Sequence, residues 1–410
     1  MVRHGVLVAW LLVGASCATV GPGALRASRA RYNETIKTTA EEELLLNIVR
    51  LRYGDTPSSL SISSIAAQFE LAASLGGTPF YSASADPTAR APFPLVLPQA
   101  QVGGADRPTF SLTPLDDSEF ARRLFTPLSL EGAVYLARTT WPISTVFRLY
   151  LENLNWVPNA QTASGPTPAR APVGSAFLDG LRALQALQDR GDIVFGHEER
   201  LVASGGPLPA GTVTAQAAVD AAAQGLELVS TGESGWRLQK KERVPVLYLN
   251  PRALDAPESQ QLRAAFHLAP GRTSYDVGVE SIVPFAEPAG GFTRIDLETR
   301  SLLQALYFVA QGVEVPKEHL AAGFARETRR DDGAPYDWTQ HLEGLFRVRA
   351  SPGSCGAAGQ VRVEYRGSCF FIDVADHDTR ATFALLMELS RLEVPSSARN
   401  APILTLPLGQ

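Results

Sequence analysis

Apolar residues change their spacing several times along this chain, and each change predicts an element. Val6-Leu7-Val8-Ala9-Trp10-Leu11-Leu12-Val13 is an unbroken apolar run behind Arg3 and His4, too short for the roughly 20 residues that a spanning helix needs. From Leu44 to Leu51 the apolar positions cover more than one helix face, as in a centrally packed helix. Thr39 followed three residues later by Glu42 reads as the capping box that opens it, and Gly54-Asp55-Thr56-Pro57 as its stop. Leu60-Ser61-Ile62-Ser63 and Thr109-Phe110-Ser111-Leu112-Thr113 alternate with period two and predict strands. The Gly- and Pro-rich stretch 76–108 between them reads as a long loop or an irregular hairpin. Helical spacing then returns at Phe120, Leu124, Leu130, Val134, Val146, Leu149 and Leu151, cut by Pro127 and Pro142 into three short helices.

Pro158 to Gly174 is rich in proline and glycine and reads as a linker at a domain boundary. A helix over 175–188, a strand at 193–195 and a small helix over 214–224 follow. Three short strands come next, at 226–229, 236–238 and 244–249, and then a helix over 257–266. Toward the C-terminus, Ile295-Asp296, Thr299-Arg300, a helix from Leu302 to Phe308 and Glu314-Val315-Pro316 are echoed by a second segment. In that segment the same order is Ile372-Asp373, Thr379-Arg380, Phe383 to Leu389 and Glu393-Val394-Pro395. These are either two related halves of one domain or two apolar helices alike by chance. The expected class is α+β, with mixed short strands and helices and a strand–helix repeat in the C-terminal part. Its expected segments are a signal peptide at 1–16, a tether at 17–30, an N-terminal α+β region at 31–157, the linker at 158–174 and a C-terminal α+β domain at 175–410.

The apolar run ends in Gly14-Ala15-Ser16-Cys17, the order of a secretory signal closing on a lipidated cysteine. Gly14 stands where leucine is usual, while Ala15 and Ser16 fit a peptidase that admits only small side chains. This favours Cys17 as the acylated first residue of the mature chain, inserted in the bilayer, over plain secretion with cleavage near Ala18 or a buried helix. Ala18, where an acidic residue would mark inner-membrane retention, favours the outer membrane. Hydrophobic residues make up 45% of the 410, enough to bury a full core. Thirty-seven basic against 42 acidic residues give −5, or −6 once Arg3 leaves with the signal. With no basic stripe, nucleic acid is excluded as a partner. Of the three cysteines, Cys355 and Cys369 remain after lipidation, and an exported chain is expected to pair them. The strands at 360–365 and 369–372 and the turn Arg366-Gly367-Ser368 set that pair around a hairpin. Two buried free thiols are the alternative.

Known catalytic signatures are missing. No Gly-Lys pair occurs, so there is no Walker loop, and no G-x-G-x-x-G, G-x-S-x-G, S-x-x-K or H-E-x-x-H pattern is present. The six histidines include no close pair, which leaves no local support for a metal site, and no cofactor is called for. Asp373-Val374-Ala375-Asp376-His377-Asp378 is the sharpest polar cluster. It reads first as a helix cap, with Asp376 or Asp378 ahead of Thr379, and second as a base or cation site built on Asp373, Asp376 and His377. The run Arg326 to Gly333 reads first as a solvated hairpin or helix end, and second as a site for an anionic glycan or lipid headgroup. Tyr336-Asp337-Trp338 and Trp141-Pro142 are either core or a partner surface.

At Glu43-Leu44-Leu45-Leu46-Asn47-Ile48-Val49-Arg50-Leu51-Arg52-Tyr53-Gly54-Asp55-Thr56-Pro57 the chain resembles a family of bacterial envelope proteins, mostly lipoproteins, that has no established activity. The resemblance extends to Glu119 to Leu124, Gln311 to Pro316, Leu345 to Val348 and Thr405 to Pro407, and implies an envelope address and one contiguous architecture. The reading is a lipid-anchored module facing the periplasm that binds or assembles with an envelope protein. Its rival is a periplasmic hydrolase of an envelope polymer, with 76–108 as a lid.

Overall fold

A computed structural model describes residues 32–58, 60–80, 95–114, 122–392 and 404–407, apart from 123, 140, 206, 233–234, 280–281, 284–287, 357–358 and 360. The expected signal and tether, Cys17 and Glu393-Val394-Pro395 lie outside the described residues. The chain divides into two units, Met1–Pro57 with Arg122–Arg391 and Ser58–Ala121 with Leu392–Gln410. The fold is α+β, and among the described residues no helix is long and apolar enough to cross a membrane.

Helix α1 (32–52) begins upstream of the expected capping box. Thr39 lies inside it, its hydroxyl donating back to the Thr35 carbonyl at 2.8 Å. Lys37 stands 3.8 Å from both Glu34 and Glu41, and these one-turn pairs carry the helix across a stretch that reads as a cap in sequence. The stop is where it was expected. Gly54, at φ +76°, follows the last turn while its N–H reaches Leu51 O and that of Asp55 reaches Arg50 O, the paired bonds of a Schellman ending. Leu45, Ile48, Val49 and Leu51 are buried, as expected of a central helix.

In the smaller unit β1 (Leu60–Phe80) pairs antiparallel with β2 (Leu95–Pro114) from Leu60↔Pro114 to Phe80↔Leu95. Most of the expected loop 76–108 is therefore strand, the second of the two readings of that stretch. Backbone pairing tolerates a Gly- and Pro-rich sequence because β13 (Leu404–Pro407) covers β2 only over Thr109–Leu112. Pro98 and Pro108 thus fall where β2 has one neighbour among the described residues.

In the larger unit α1 is followed by α2 (Leu130–Arg138), whose first turn the Ser129 side chain caps, and by α3 (Ile143–Tyr150), which starts after Pro142. Leu151, expected to be helical, instead starts β3 (Leu151–Leu154), which turns into β4 (Val157–Pro158). After α4 (Phe177–Asp189) come β5 (Ile193–Ala203), α5 (Ala215–Ala223), β6 (Leu226–Ser230) and β7 (Trp236–Leu249). α6 (Pro257–Phe266), β8 (Ser274–Gly278), β9 (Arg294–Thr299) and α7 (Leu302–Ala310) complete the order around one sheet, β4-β3-β9-β8-β7-β5, with β6 also on β7. Two expected strands fuse in β7. β6 covers Trp236–Lys240 and β8 covers Val246–Tyr248, so Pro245 sits where β7 has β5 alone beside it and breaks no ladder on the other side.

Residues 158–174, expected to link two domains, run inside this unit. Asn159, Ala163 and Thr167 are buried, and the N–H groups of Ala171 and Arg329 exchange bonds with Arg329 O and Ala169 O. Proline and glycine make the segment irregular, while Thr328 and Arg300 hold it in place. Arg300 is fully buried. Its guanidinium donates to Ser164 Oγ and to the carbonyls of Arg148, Leu149 and Asn159, 4.1 Å above the Phe308 ring.

A second sheet, β10-β12-β11, joins Arg349–Pro352 (β10), Val361–Tyr365 (β11) and Ser368–Ile372 (β12), all antiparallel. Cys355 and Cys369 lie at disulfide distance beside it, with Cα atoms 4.9 Å apart. Both expected strand–helix segments are present, β9 into α7 and β12 into α10 (His377–Leu392), in different sheets.

Candidate functional site

The Arg52-Tyr53-Gly54-Asp55 run at the end of α1 works as a clamp. Arg52 donates to Thr167 Oγ1 and Arg326 O at 3.2 and 2.8 Å, and burial lowers its guanidinium to about 10. Tyr53 meets His319 Nδ1 at 2.6 Å, with its hydroxyl pushed up to about 12 by burial. Asp55 accepts from Tyr365 on β11 and pairs with Arg366. Each side chain fastens a different segment, so this motif builds the body.

A cavity of about 500 Å³ opens between the end of α7, the short helix α9 (Thr339–Leu342) and the start of α10; α8 is Lys317–Ala321. Its wall after α7 is Gln311-Gly312-Val313-Glu314, where Val313 bridges Val348 in parallel and Gly312 O accepts from Val348 N at 3.0 Å. The chains come so close that a Cβ on Gly312 would sit 2.5 Å from Phe346 O. Glu314 accepts from Arg347 Nε and Nη2 at 2.9 and 2.5 Å and from Ala350 N at 3.3 Å, which closes this corner.

Tyr336 and Trp338 pack edge to face at 5.1 Å, and the Trp338 indole N–H donates to Thr328 Oγ1. Asp337 accepts the N–H of Thr339, and the Thr339 hydroxyl and that N–H hold its carboxyl below the usual carboxylate range. Behind α9, Arg148 donates to the carbonyls of His341 and Glu343 at 2.5 and 2.8 Å, itself lowered to about 10 by burial. Burial, then Arg148 and Arg300, push the His341 imidazole down to about 4, so the ring is neutral at pH 7.

The acidic cluster of the sequence divides here. Asp376 accepts the Thr379 N–H at 3.0 Å and its hydroxyl at 2.7 Å, the cap of α10, and lines the cavity with Asp378. Asp373 accepts from Ala375 N and faces Arg349 at 3.4 Å, while His377 is exposed at the first position of α10. Neither lines the cavity, so Asp373, Asp376 and His377 are not brought together around one reacting point. Of the hairpin and the helix end expected at 326–333, the structure has the hairpin, with Arg330 N on Ala334 O and Gly333 N on Arg330 O.

Tyr336-Asp337-Trp338, singled out as aromatic, and Asp376, singled out as acidic, line the same cavity. Gln311, Glu314, Glu343 and Arg347 were not read as site residues. The signal for Gln311, Glu314 and Arg347 was that Gln311 to Pro316 and Leu345 to Val348 carry the resemblance, while Glu343 had none. Among the described residues no three His, Cys, Asp or Glu side chains converge as a metal centre requires. No protein family, curated protein or solved structure matches the chain.

Proposed function

We propose that this chain is a lipoprotein of the bacterial cell envelope. It is held to the bilayer through an acylated Cys17, faces the periplasm from the outer rather than the inner membrane, and carries a body that binds a ligand or an envelope protein. The resemblance along α1 and the apolar run ending at Cys17 support the address. What supports binding over catalysis is how the polar groups around the cavity are engaged. Asp337 and Asp376 hold helix starts, Glu314 holds Arg347, and the Thr379 hydroxyl is bonded to Asp376. A nucleophile needs a base within about 2.6–3.2 Å, and no serine, cysteine or histidine lines the cavity.

The test of the anchor is a Cys17→Ala variant in a diderm host, read by palmitate labelling and membrane fractionation. Loss of label and release to the soluble periplasm is expected, and unchanged partition with membranes overturns the anchor. One observation favours the hydrolase alternative, namely that five carboxylates line a single cavity. Release of soluble fragments from purified peptidoglycan or envelope glycan, abolished by Glu343→Gln or Asp378→Asn, would establish it in place of binding.

A further inference from the structure

We infer that the hairpin of β1 and β2 is a membrane-spanning stave, which closes a β-barrel with the same hairpin of further copies of this chain and turns one face to lipid. The inference rests on the envelope address proposed above and goes beyond it, since an acyl chain holds a protein to a bilayer without spanning it. Register carries the first part of the argument, because paired residues of an antiparallel ladder share a face. One face takes Ile65, Phe69, Leu71 and Leu75 of β1 with Phe110 and Val102 of β2, and among its paired positions only Asp106 is polar. The other face takes Ser64, Gln68 and Ser74. Through the Gly- and Pro-rich stretch, where the sequence shows no alternation, the register still sets Thr78, Gln99 and Gln101 on that polar face. The shift between Ile62 and Ser64 preserves the division. Apolar residues of β1 stand at even numbers before it and at odd numbers after it, and the extra residue, Ser63, returns both sets to one face. Leu404 and Leu406 of β13, opposite Leu112 and Phe110, extend the apolar face.

Charge supplies the second part. Between Glu70 and Asp106 the only charged residues are Asp86 and Arg90, in a chain of which 19% is charged. Both fall between the strands, so the ten-residue stretches Leu71–Phe80 and Leu95–Gly104, paired throughout, carry no charge on either face. Charges return together on the two strands at Glu70, Asp106 and Arg107, which the register sets at one level. A spanning strand needs about 9–11 residues. Ten residues at roughly 3.3 Å each, tilted by about 40°, rise about 25 Å, the height of the apolar band of outer-membrane barrels. A protein partner on the apolar face would leave the opposite face in water, where charge is welcome. Loss of charge from both faces over the same ten residues fits a stretch enclosed on both sides, by lipid outside and a narrow interior within.

A lone hairpin cannot span, because an unpaired N–H or C=O is costly in hydrocarbon. Among the described residues nothing pairs with the outer edge of β1, and β13 covers β2 only over Thr109–Leu112. Pro79 and Pro98 have no N–H and add no donor to be paired. The remaining edges are satisfied by pairing β1 of one copy with β2 of the next, and a barrel of eight or more strands takes roughly four copies or more. The acylated Cys17 concentrates those copies on one membrane, so a chain without the acyl group stays soluble.

The test uses the full chain as matured in a diderm host, purified in detergent and reconstituted in vesicles of phosphatidylethanolamine and phosphatidylglycerol. Leu75 and Ser74 are neighbours that the register sets on opposite faces. With lipids brominated at the middle of their acyl chains, Leu75→Trp should be quenched at least about twofold more than Ser74→Trp, each read against the parent. Glutaraldehyde should trap assemblies of roughly four copies or more. Leu75→Arg should cut their yield at least about tenfold and Ser74→Arg should not, while an unchanged thermal melt reports that both variants are folded. Equal quenching at the two positions, or a chain that stays monomeric in the vesicles, overturns the barrel. A crosslinked dimer with neither position quenched overturns it as well and puts a second copy on the apolar face. Palmitate on Cys17 separates this failure from that of the address: label without quenching ends the barrel alone, and neither label nor quenching ends both.

Discussion

At the scale of single residues, the polar cluster before α10 separates structural from catalytic work. Asp376 accepts two bonds from Thr379, so Asp376→Ala removes a cap and is expected to lower stability by about 0.5–2 kcal/mol in urea unfolding. His377 is exposed, and His377→Ala should stay within about 0.5 kcal/mol of the parent and leave host function intact. A folded but inactive His377→Ala protein would revive the base reading. His341 behaves differently because its surroundings disfavour the charged ring. Its imidazole is held at about 4 by burial, Arg148 and Arg300, against 6.5 when exposed. Between those values the unfolded chain binds a proton that the native chain does not, so stability rises with pH there and is lost as pH falls from 6.5 toward 4. Urea melts from pH 7 to 4 should show that loss, and His341→Gln should flatten it. An equal slope in the variant would mean that carboxylates elsewhere cause it.

At the scale of elements, what was legible depended on whether side-chain pattern or backbone pairing decides the structure. The end of α1 was readable because Gly54 is needed at positive φ, and α4, α5 and α6 were readable from their periodicity. Its start was not, because Thr39 bonds within the helix as readily as it caps one. The hairpin of β1 and β2 was only half visible, since a ladder of N–H and C=O groups forms without any alternation of side chains through its Gly- and Pro-rich stretch. In the site the aromatic and acidic positions stood out. Gln311, Glu314 and Arg347 did not, because a cavity assembled from the ends of α7, α9 and α10 leaves no local spacing to read. The cysteine pair is the element-scale case that sequence and structure share. Cys355 and Cys369 lie 14 residues apart and at disulfide distance, and a closed loop of about 15 residues contributes roughly 3 kcal/mol. Protein purified from the periplasm without reductant should show no alkylatable thiol at either position by intact mass, and Cys355→Ser with Cys369→Ser should unfold earlier by about that amount. Two modified thiols in the parent would sink the pairing.

At the scale of the whole chain, the address and the body are encoded in different ways. The proposed address rests on the short run that ends at Cys17, which has the order of an export signal. The body is built from residues that meet only on folding: Arg52 with Arg326, Tyr53 with His319, Asp55 with Tyr365, and Arg300 with the 148–164 segment. These long-range bonds explain why the expected boundary at 158–174 runs through packed structure, and why composition was a poor guide to where the chain divides. They also make the two halves of the proposal separable by experiment. The core of the larger unit starts at Leu44 on α1, so a chain lacking residues 1–28 keeps every buried group of that core. Such a chain, made without lipid, should unfold within about 0.5 kcal/mol of the lipidated parent in detergent, keep the same response of stability to pH through His341, and lose all association with membranes. A fall of more than about 1 kcal/mol would place the tether against the body. Retained membrane binding would locate an anchor in the body itself, with Cys17 no longer needed to explain the address.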